Sequence, residues 1–399
     1  MKLLVITDFV PYPPYSGATW RVYGLLSHLC KRHQVVLVVP IRMPTDPEGV
    51  AHLEEIGMTV VAVSRPEGRR LGKAVWTRLK ASFSPIPMHW VLTWDDAIAR
   101  AISAAIGKHD PDIVQVEHLG MCRFYDSFAV GKPLVLDQHN VERTLESDVA
   151  RSMSCSAAGL LRKREARKVP AFERDMMSRM DLVLAVSDLD RAELQQMAPG
   201  TKMVTIPNGV ELEFFAVAEP ASSKTVVFTG TLDYQPNIEA ALDLASEVLP
   251  RVRAAVPDVK ARIVGRRPVQ AIRDLAGPGL EVVPDVEDIR TYIQEAAVVA
   301  VPLKSGSGTR IKILEAMAMG KAVVSTRKGA EGLDVRDGYD ILLRDDMPGF
   351  ADAVAELLGS PEERQKVGRN ARSTVEAGYG YEALALRLEA ALLDLLQRK

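Results

Sequence analysis

SGSGTRIKILEAMAMGKAVVST, residues 305–326, decides how this chain is read. It follows VVAVP (residues 298–302), a short apolar run of the kind that forms a buried strand. Ser305, Gly306, Ser307 and Gly308 then let the backbone turn tightly with little side-chain bulk. The pattern predicts a helix from Arg310, with Thr309 as its N-cap and Gly320 closing it. A strand follows over residues 322–326. A helix N-terminus therefore sits at the carboxyl edge of a parallel strand, where open α/β sheets bind ligands and free backbone N–H groups favour an anion. Arg310 and Lys312 add two cations there. Cations in a first turn oppose the helix dipole, and a bound anion would offset that opposition.

Glu315 interrupts an otherwise apolar helix, three residues after Lys312, so the two side chains share a face. Two readings stand level. One is a Lys–Glu surface pair worth a few tenths of a kcal/mol. The other is a carboxylate accepting hydrogen bonds from two vicinal hydroxyls, such as a ribose offers.

Working outward, strands at 225–230, 260–265 and 280–284 alternate with helices at 237–256, 269–276 and 287–296. The first half repeats the alternation. Its strands fall at 2–8, 34–40, 58–64, 112–117, 134–136, 181–187 and, together with a turn at Pro207-Asn208-Gly209, 203–210, with helices at 19–31, 46–56, 95–108 and 157–180. Helices at 348–358, 361–377 and 381–397 close the chain. Alternation of this kind predicts parallel, doubly wound sheets, and two such halves bind ligands in the crevice between them. AVAEPASSK is small, polar and proline-containing, which places the domain boundary near residues 213–224.

LEAMAMGKAVVST, followed by GAEGL at 329–333, resembles the nucleotide-sugar site of glycosyltransferase family 4. IPNGVE (206–211) resembles the interdomain crossing of that family, and PPYSGA (13–18) its PPxxGG loop, with Gly17 kept and Ala18 in place of the second glycine. The resemblance implies a GT-B fold: two doubly wound, parallel-sheet Rossmann-like α/β domains facing a cleft. Residues 1–212 would form an acceptor-side domain and 213–380 a donor-binding domain. A helix over 381–399 would pack back on the first. By the same resemblance Glu315 holds the donor ribose, and His118 lies near the transferred sugar. Gly17, Ser307, Gly308, Thr309, Arg310 and Lys312 would line the donor. This sequence departs from the family twice. Ser307 replaces a glutamate eight positions before Glu315, and FTGTLDYQPN holds no cation between Gly230 and Asn237, where the family has an Arg and a Lys for the diphosphate. Arg310 and Lys312 are expected to supply the missing charge.

His118 follows the strand DIVQVE, and Asp137, Gln138, His139 and Asn140 follow the next one. Asp137, His139 and Asn140 read either as Asx-type turn chemistry or as acceptor and sugar contacts. Arg266 and Arg267 point at a strand-edge crevice, with surface charge the preferred reading.

Of 399 residues, 47% are hydrophobic and 26% charged, which supports two sizeable cores. The formal net charge of −2 argues against a nucleic-acid partner. Three separated cysteines, Cys30, Cys122 and Cys155, read as reduced thiols of a cytoplasmic protein. MKLLVITDFV is too short for a signal peptide, and no apolar run approaches a membrane span of ~18–20 residues. Between 69 and 83, basic residues alternate with Val75, Trp76, Leu79 and Phe83. That segment either touches the inner membrane surface peripherally or packs as an ordinary surface helix, the preferred reading. The basic run at 162–168 reads as a solvated face.

The expected activity is retaining transfer of a sugar from a nucleotide-diphosphate donor to a glycan or glycolipid acceptor, as in polysaccharide biosynthesis. His118, Arg310 and Lys312 would serve the chemistry. No convincing DxD pair is present, so no metal and no cofactor are expected. A nucleotide-sugar epimerase using Glu117, His118, Asp137 and His139 is one competing reading, and a non-catalytic sugar-nucleotide-binding partner is the other. A dehydrogenase is disfavoured, because no GxGxxG follows the first strand of either half.

Overall fold

Continuous aliphatic runs such as QVVLVVPI bury both faces of a strand, which suits a parallel sheet covered by helices on each side. The computed structural model describes residues 1–64, 83–152, 157–219, 223–306 and 311–398. The chain divides into one unit of Met1–Pro207 with Leu384–Lys399 and another of Asn208–Ala383.

The first unit runs β1 (Lys2–Ile6), α1 (Gly17–Leu29), β2 (Gln34–Ile41), α2 (Asp46–Glu55), β3 (Thr59–Ser64), α3 (Met88–Leu92), α4 (Asp96–His109), β4 (Ile113–Glu117) and α5 (Tyr125–Phe128). It continues with β5 (Leu134–Gln138), α6 (Glu142–Ser152), α7 (Ala157–Ala166), α8 (Val169–Ser178), β6 (Leu182–Ala185), α9 (Asp188–Met197) and β7 (Met203–Thr205). Its seven strands lie in the order β3-β2-β1-β4-β5-β6-β7, each pair parallel. Chain direction across the sheet reverses between β1 and β4, and both strands end at the same edge. Register sets Glu117 of β4 beside Asp137 of β5 there.

The second unit runs β8 (Thr225–Thr231), α10 (Gln235–Asp243), α11 (Leu249–Ala255), β9 (Lys260–Arg266), α12 (Gln270–Arg273), β10 (Leu280–Pro284), α13 (Arg290–Glu295), β11 (Val298–Val301) and α14 (Ile311–Ala318). Then come β12 (Ala322–Ser325), β13 (Leu342–Leu343), α15 (Met347–Gly359), α16 (Pro361–Gly378) and α17 (Tyr381–Gln397). Six parallel strands take the order β10-β9-β8-β11-β12-β13. The part of α17 beyond Leu384 belongs to the first unit. There Glu389 pairs with Arg32 at 2.9 Å and with His33 at 2.5 Å.

Some elements differ from the sequence expectation for identifiable reasons. The helix expected over 157–180 breaks between α7 and α8, where Pro170 stands in the first turn of α8 and lacks an N–H. The helix expected over 237–256 carries a π-helical turn, Leu244–Val248, just ahead of Pro250. The strand that opens 203–210 stops at Thr205, ahead of the turn expected at Pro207-Asn208-Gly209, and the backbone of Ile206 and Pro207 accepts hydrogen bonds from Arg21. The basic amphipathic segment of residues 69–80, and Cys155, lie outside the described residues. Phe83, at its far end, is exposed.

Candidate functional site

In the second unit the chain crosses to β9 from β8 and to β12 from β11, while β8 and β11 lie side by side. A crevice outside the carboxyl ends of two such strands is where open α/β sheets take ligands. Lys312, in the first turn of α14, reaches this point. Its Nζ donates to Asn237 Oδ1 at 2.7 Å and lies 4.4 Å from the centre of the Phe228 ring. Asn237 is fixed in turn, its Nδ2 donating to the Thr231 carbonyl at 2.8 Å. Gly230 makes room for both. A Cβ there would stand 2.8 Å from Lys312 Nζ and 2.9 Å from Asn237 Nδ2. The neighbouring strand comes as close, since a Cβ on Gly265 would fall 1.7 Å from the Gly230 carbonyl oxygen.

Glu315 is half-buried one turn further along α14. Burial pushes its carboxyl up to about 7, with Lys312 pulling the other way. The surface pair with Lys312 is not formed, since no ion pair or side-chain hydrogen bond joins Glu315 to a described residue. Lys312 satisfies itself at a strand end that local spacing does not reveal. Ser305 Oγ donates to Glu239 Oε2 at 3.2 Å, and Gly306 takes φ 97°, which favours glycine. Ser307, Gly308, Thr309 and Arg310 lie outside the described residues.

In the first unit a second polar cluster fills the carboxyl ends of β4 and β5. Arg21, from the buried side of α1, grips Asp137 with two bonds, Nε to Oδ2 at 2.9 Å and Nη2 to Oδ1 at 2.8 Å. Both side chains are about 1% exposed, which makes this a fully desolvated ion pair. Arg21 Nη1 also donates to the Ile206 carbonyl at 2.8 Å. His139 Nε2 lies 2.8 Å from Glu117 Oε2, and Gln115 Nε2 donates to Glu117 Oε1 at 2.7 Å. The His118 and His139 rings are 3.7 Å apart between centres, with Phe9 edge-on to His118.

Burial governs protonation here. It lifts Glu117 to about 8, helped by Asp137, and lowers His118 and His139 to about 4. Burial would also raise Asp137, but Arg21 outweighs it and holds the carboxyl below its usual value. Near neutral pH the cluster therefore carries a single pair of opposite charges, Arg21 with Asp137, beside two neutral imidazoles and a protonated Glu117. Glu117 Oε2 and His139 Nε2 share one proton across their 2.8 Å contact, and His139 Nδ1 is buried and finds no partner among the described residues. Glu117, Asp137 and His139 present metal-ligand atoms within 4.8 Å of one another. Arg21 occupies both Asp137 oxygens, so a cation there would meet a guanidinium already in place.

His118 is held with φ 66° and ψ 144°, a backbone conformation rare outside glycine. Strain of this kind is of order 1–3 kcal/mol and concentrates at functional sites. Asn140 is half-buried just beyond the cluster, and Gly17 is exposed at the start of α1, where Ser16 and Thr19 form a capping box. The structure thus brings His118, His139 and Asp137 together, and Lys312 within one turn of Glu315. Sequence reasoning missed Arg21, Gln115 and Asn237. The signal for Arg21 was an arginine in helical register with Leu25 and His28, on the buried face of α1.

The profile of Glycosyltransferase Family 4 matches residues 15–214, and that of Glycosyl transferases group 1 matches 223–360. A phosphatidyl-myo-inositol mannosyltransferase of Mycolicibacterium smegmatis is 34% identical over 203 residues, which cover 48% of this chain and 51% of that protein. The chain thus spans about half the length of the relatives it matches. Sucrose-phosphate synthase from Thermosynechococcus elongatus superimposes with a TM-score of 0.72 at 17% identity, over 100% of both chains. Anabaena HepE in complex with UDP and glucose gives 0.67 at 14% identity, over 98% of this chain and 99% of that one. The two parallel-sheet domains are those of a GT-B fold, and the chain belongs to glycosyltransferase family 4.

Proposed function

We propose that this chain is a retaining glycosyltransferase that moves a sugar from a nucleoside-diphosphate donor to a hydroxyl of a glycan or glycolipid. The observation that carries the reading is Lys312 Nζ lodged at the carboxyl end of β8, 2.7 Å from Asn237 Oδ1. This is the strand end whose following turn lacks the family's cations. Breaking the sugar–phosphate bond leaves negative charge on the departing diphosphate, and a preplaced ammonium stabilises it. Arg310, outside the described residues, would add a second cation. Glu315 accepts hydrogen bonds from the ribose hydroxyls, with Ser307, Gly308, Thr309 and Gly17 completing the donor contacts.

His118 contacts the transferred sugar, while Asp137, His139 and Asn140 shape its surroundings and those of the acceptor. The acceptor oxygen bonds to the anomeric carbon on the face from which the phosphate oxygen leaves, and the acceptor proton passes to that phosphate. Residues 213–380 carry the donor and 1–212 the acceptor. Cationic side chains take the place a divalent metal would hold, so turnover should survive EDTA. The sugar transfer named for the mannosyltransferase, and the UDP and glucose bound in HepE, support a nucleotide sugar as donor. No helix among the described residues is long and apolar enough to cross a membrane. The proposed location is the cytoplasm, with peripheral contact at the inner membrane surface when the acceptor is a lipid.

A thermal-shift screen of UDP, GDP, ADP and their sugar conjugates tests this. A true donor at 100 times its Kd stabilises by about 2.7 kcal/mol. No shift with any of them, or complete loss of turnover in EDTA, would overturn the reading.

A further inference from the structure

A cavity of about 500 Å³ opens in the second unit at the edge of the sheet opposite Lys312. Its floor comes from residues at the amino ends of two strands, Ala297 before β11 and Lys321 before β12. Its wall is the face of α16 that carries Arg364, Arg369 and Arg372. Of the described lining residues four are cations, and the one carboxylate, Glu219, is exposed. The remaining surface is largely apolar, with Val217, Ala296 and Ala322 among it.

Three of the cations have structural duties that leave capacity over, Arg364 among them, whose Nη1 donates to the Leu357 carbonyl at 3.0 Å. Lys321 is 5% exposed, and its Nζ donates to the carbonyls of Glu219 at 3.1 Å and Gln294 at 2.6 Å. An ammonium has three donors, so one N–H remains. Among the described residues no carboxylate lies within ion-pair distance of Lys321. Burial, with Arg364 adding to it, pulls Lys321 down to about 8, and burial also lowers Arg364. Arg372 donates Nη1 to the Phe215 and Ala318 carbonyls, the second at the end of α14, and pairs with Glu376. Arg369 is exposed and forms no hydrogen bond or ion pair with a described residue. Like charges are thus gathered in a partly desolvated hollow, and capping five carbonyl groups still leaves donors over.

We infer that this cavity is a second ligand site, which takes a small phosphomonoester. Lys321 and Arg369 would hold the phosphate, and Val217, Ala296 and Ala322 its organic body. A dianion suits several cations better than a carboxylate does, and guanidinium forks match phosphate oxygens. The volume falls in the range of ~300–1,000 Å³ typical of small-molecule sites and exceeds what inorganic phosphate alone would fill. Lys312 and Lys321 flank opposite ends of α14, so this site is separate from the donor crevice.

The test is isothermal titration of the full chain with phenyl phosphate, inorganic phosphate and phenol, on wild type and three variants. Phenyl phosphate should bind more tightly than either fragment. Lys321→Met should weaken it about tenfold or more, as expected for a desolvated charge-assisted contact. Arg369→Glu, at an exposed position that leaves folding alone, should weaken it severalfold. Lys312→Ala should leave it unchanged. Three results would overturn the inference: no binding at millimolar ligand, binding indifferent to Arg369→Glu, or binding lost in Lys312→Ala, which would place the ester in the donor crevice.

Discussion

Glu315→Gln separates what the fold wants at this position from what the ligand wants. In the free protein burial lifts the Glu315 carboxyl to about 7, from an ordinary value of 4.5. The folded pKa lies above the unfolded one, so folding favours the protonated form. Stability is therefore greatest below 4.5, falls as pH rises towards 7, and is level above. Two and a half pH units correspond to about 3 kcal/mol of penalty in full, and to under about 1 kcal/mol at pH 5. Glutamine has nearly the same shape and cannot ionise. The variant should melt roughly 5–10 °C higher than wild type at pH 8, and close to it at pH 5. If the carboxylate also grips the donor ribose, the same variant should bind its nucleotide sugar roughly 10- to 100-fold more weakly, the range for losing charge-assisted hydrogen bonds. Scanning calorimetry at the two pH values, with donor titration at pH 8, reads both effects. A variant that melts with wild type at pH 8 and keeps its donor affinity would refute the placement of Glu315 and its role together.

Lys312→Ala takes the Nζ donor from Asn237 Oδ1 and removes the cation at the end of β8. We expect donor affinity to fall about tenfold or more while the melting temperature moves little, measured by titration beside calorimetry. Arg21→Ala strands a buried Asp137 carboxylate and should destabilise by ~3–5 kcal/mol in urea denaturation. Arg21→Met combined with Asp137→Leu should recover much of that, and a double variant as unstable as the single would contradict the desolvated pair. At His118, whose φ is 66°, glycine should be more stable than alanine by about 1–2 kcal/mol. Both substitutions should abolish turnover, and equal stabilities would mean that the backbone there is unstrained.

What could be read from the sequence follows a physical rule about distance along the chain. Strands such as β11, VVAV, announce themselves because a parallel strand buried on both faces must be apolar throughout. The alternation with helices then implies parallel pairing without any knowledge of partners. Polar contacts obey no such local rule. Spacing along α14 offered Lys312 to Glu315, three residues on, in a pairing worth a few tenths of a kcal/mol. The ammonium instead takes an amide oxygen 75 residues earlier in the chain and the face of Phe228. Arg21 likewise finds Asp137 across 116 residues, and only the register of β5 in the sheet brings them together. The π-helical turn ahead of Pro250 was hidden for another reason: it changes backbone hydrogen bonding without altering the apolar pattern. The absence of a cation after β8 is plain in FTGTLDYQPN itself. Its meaning depends on where α14 starts, because a helix opening beside β8 lets one lysine reach that strand end from the next crossover. Gly230, with no Cβ to block the approach, is the residue at which these two facts meet.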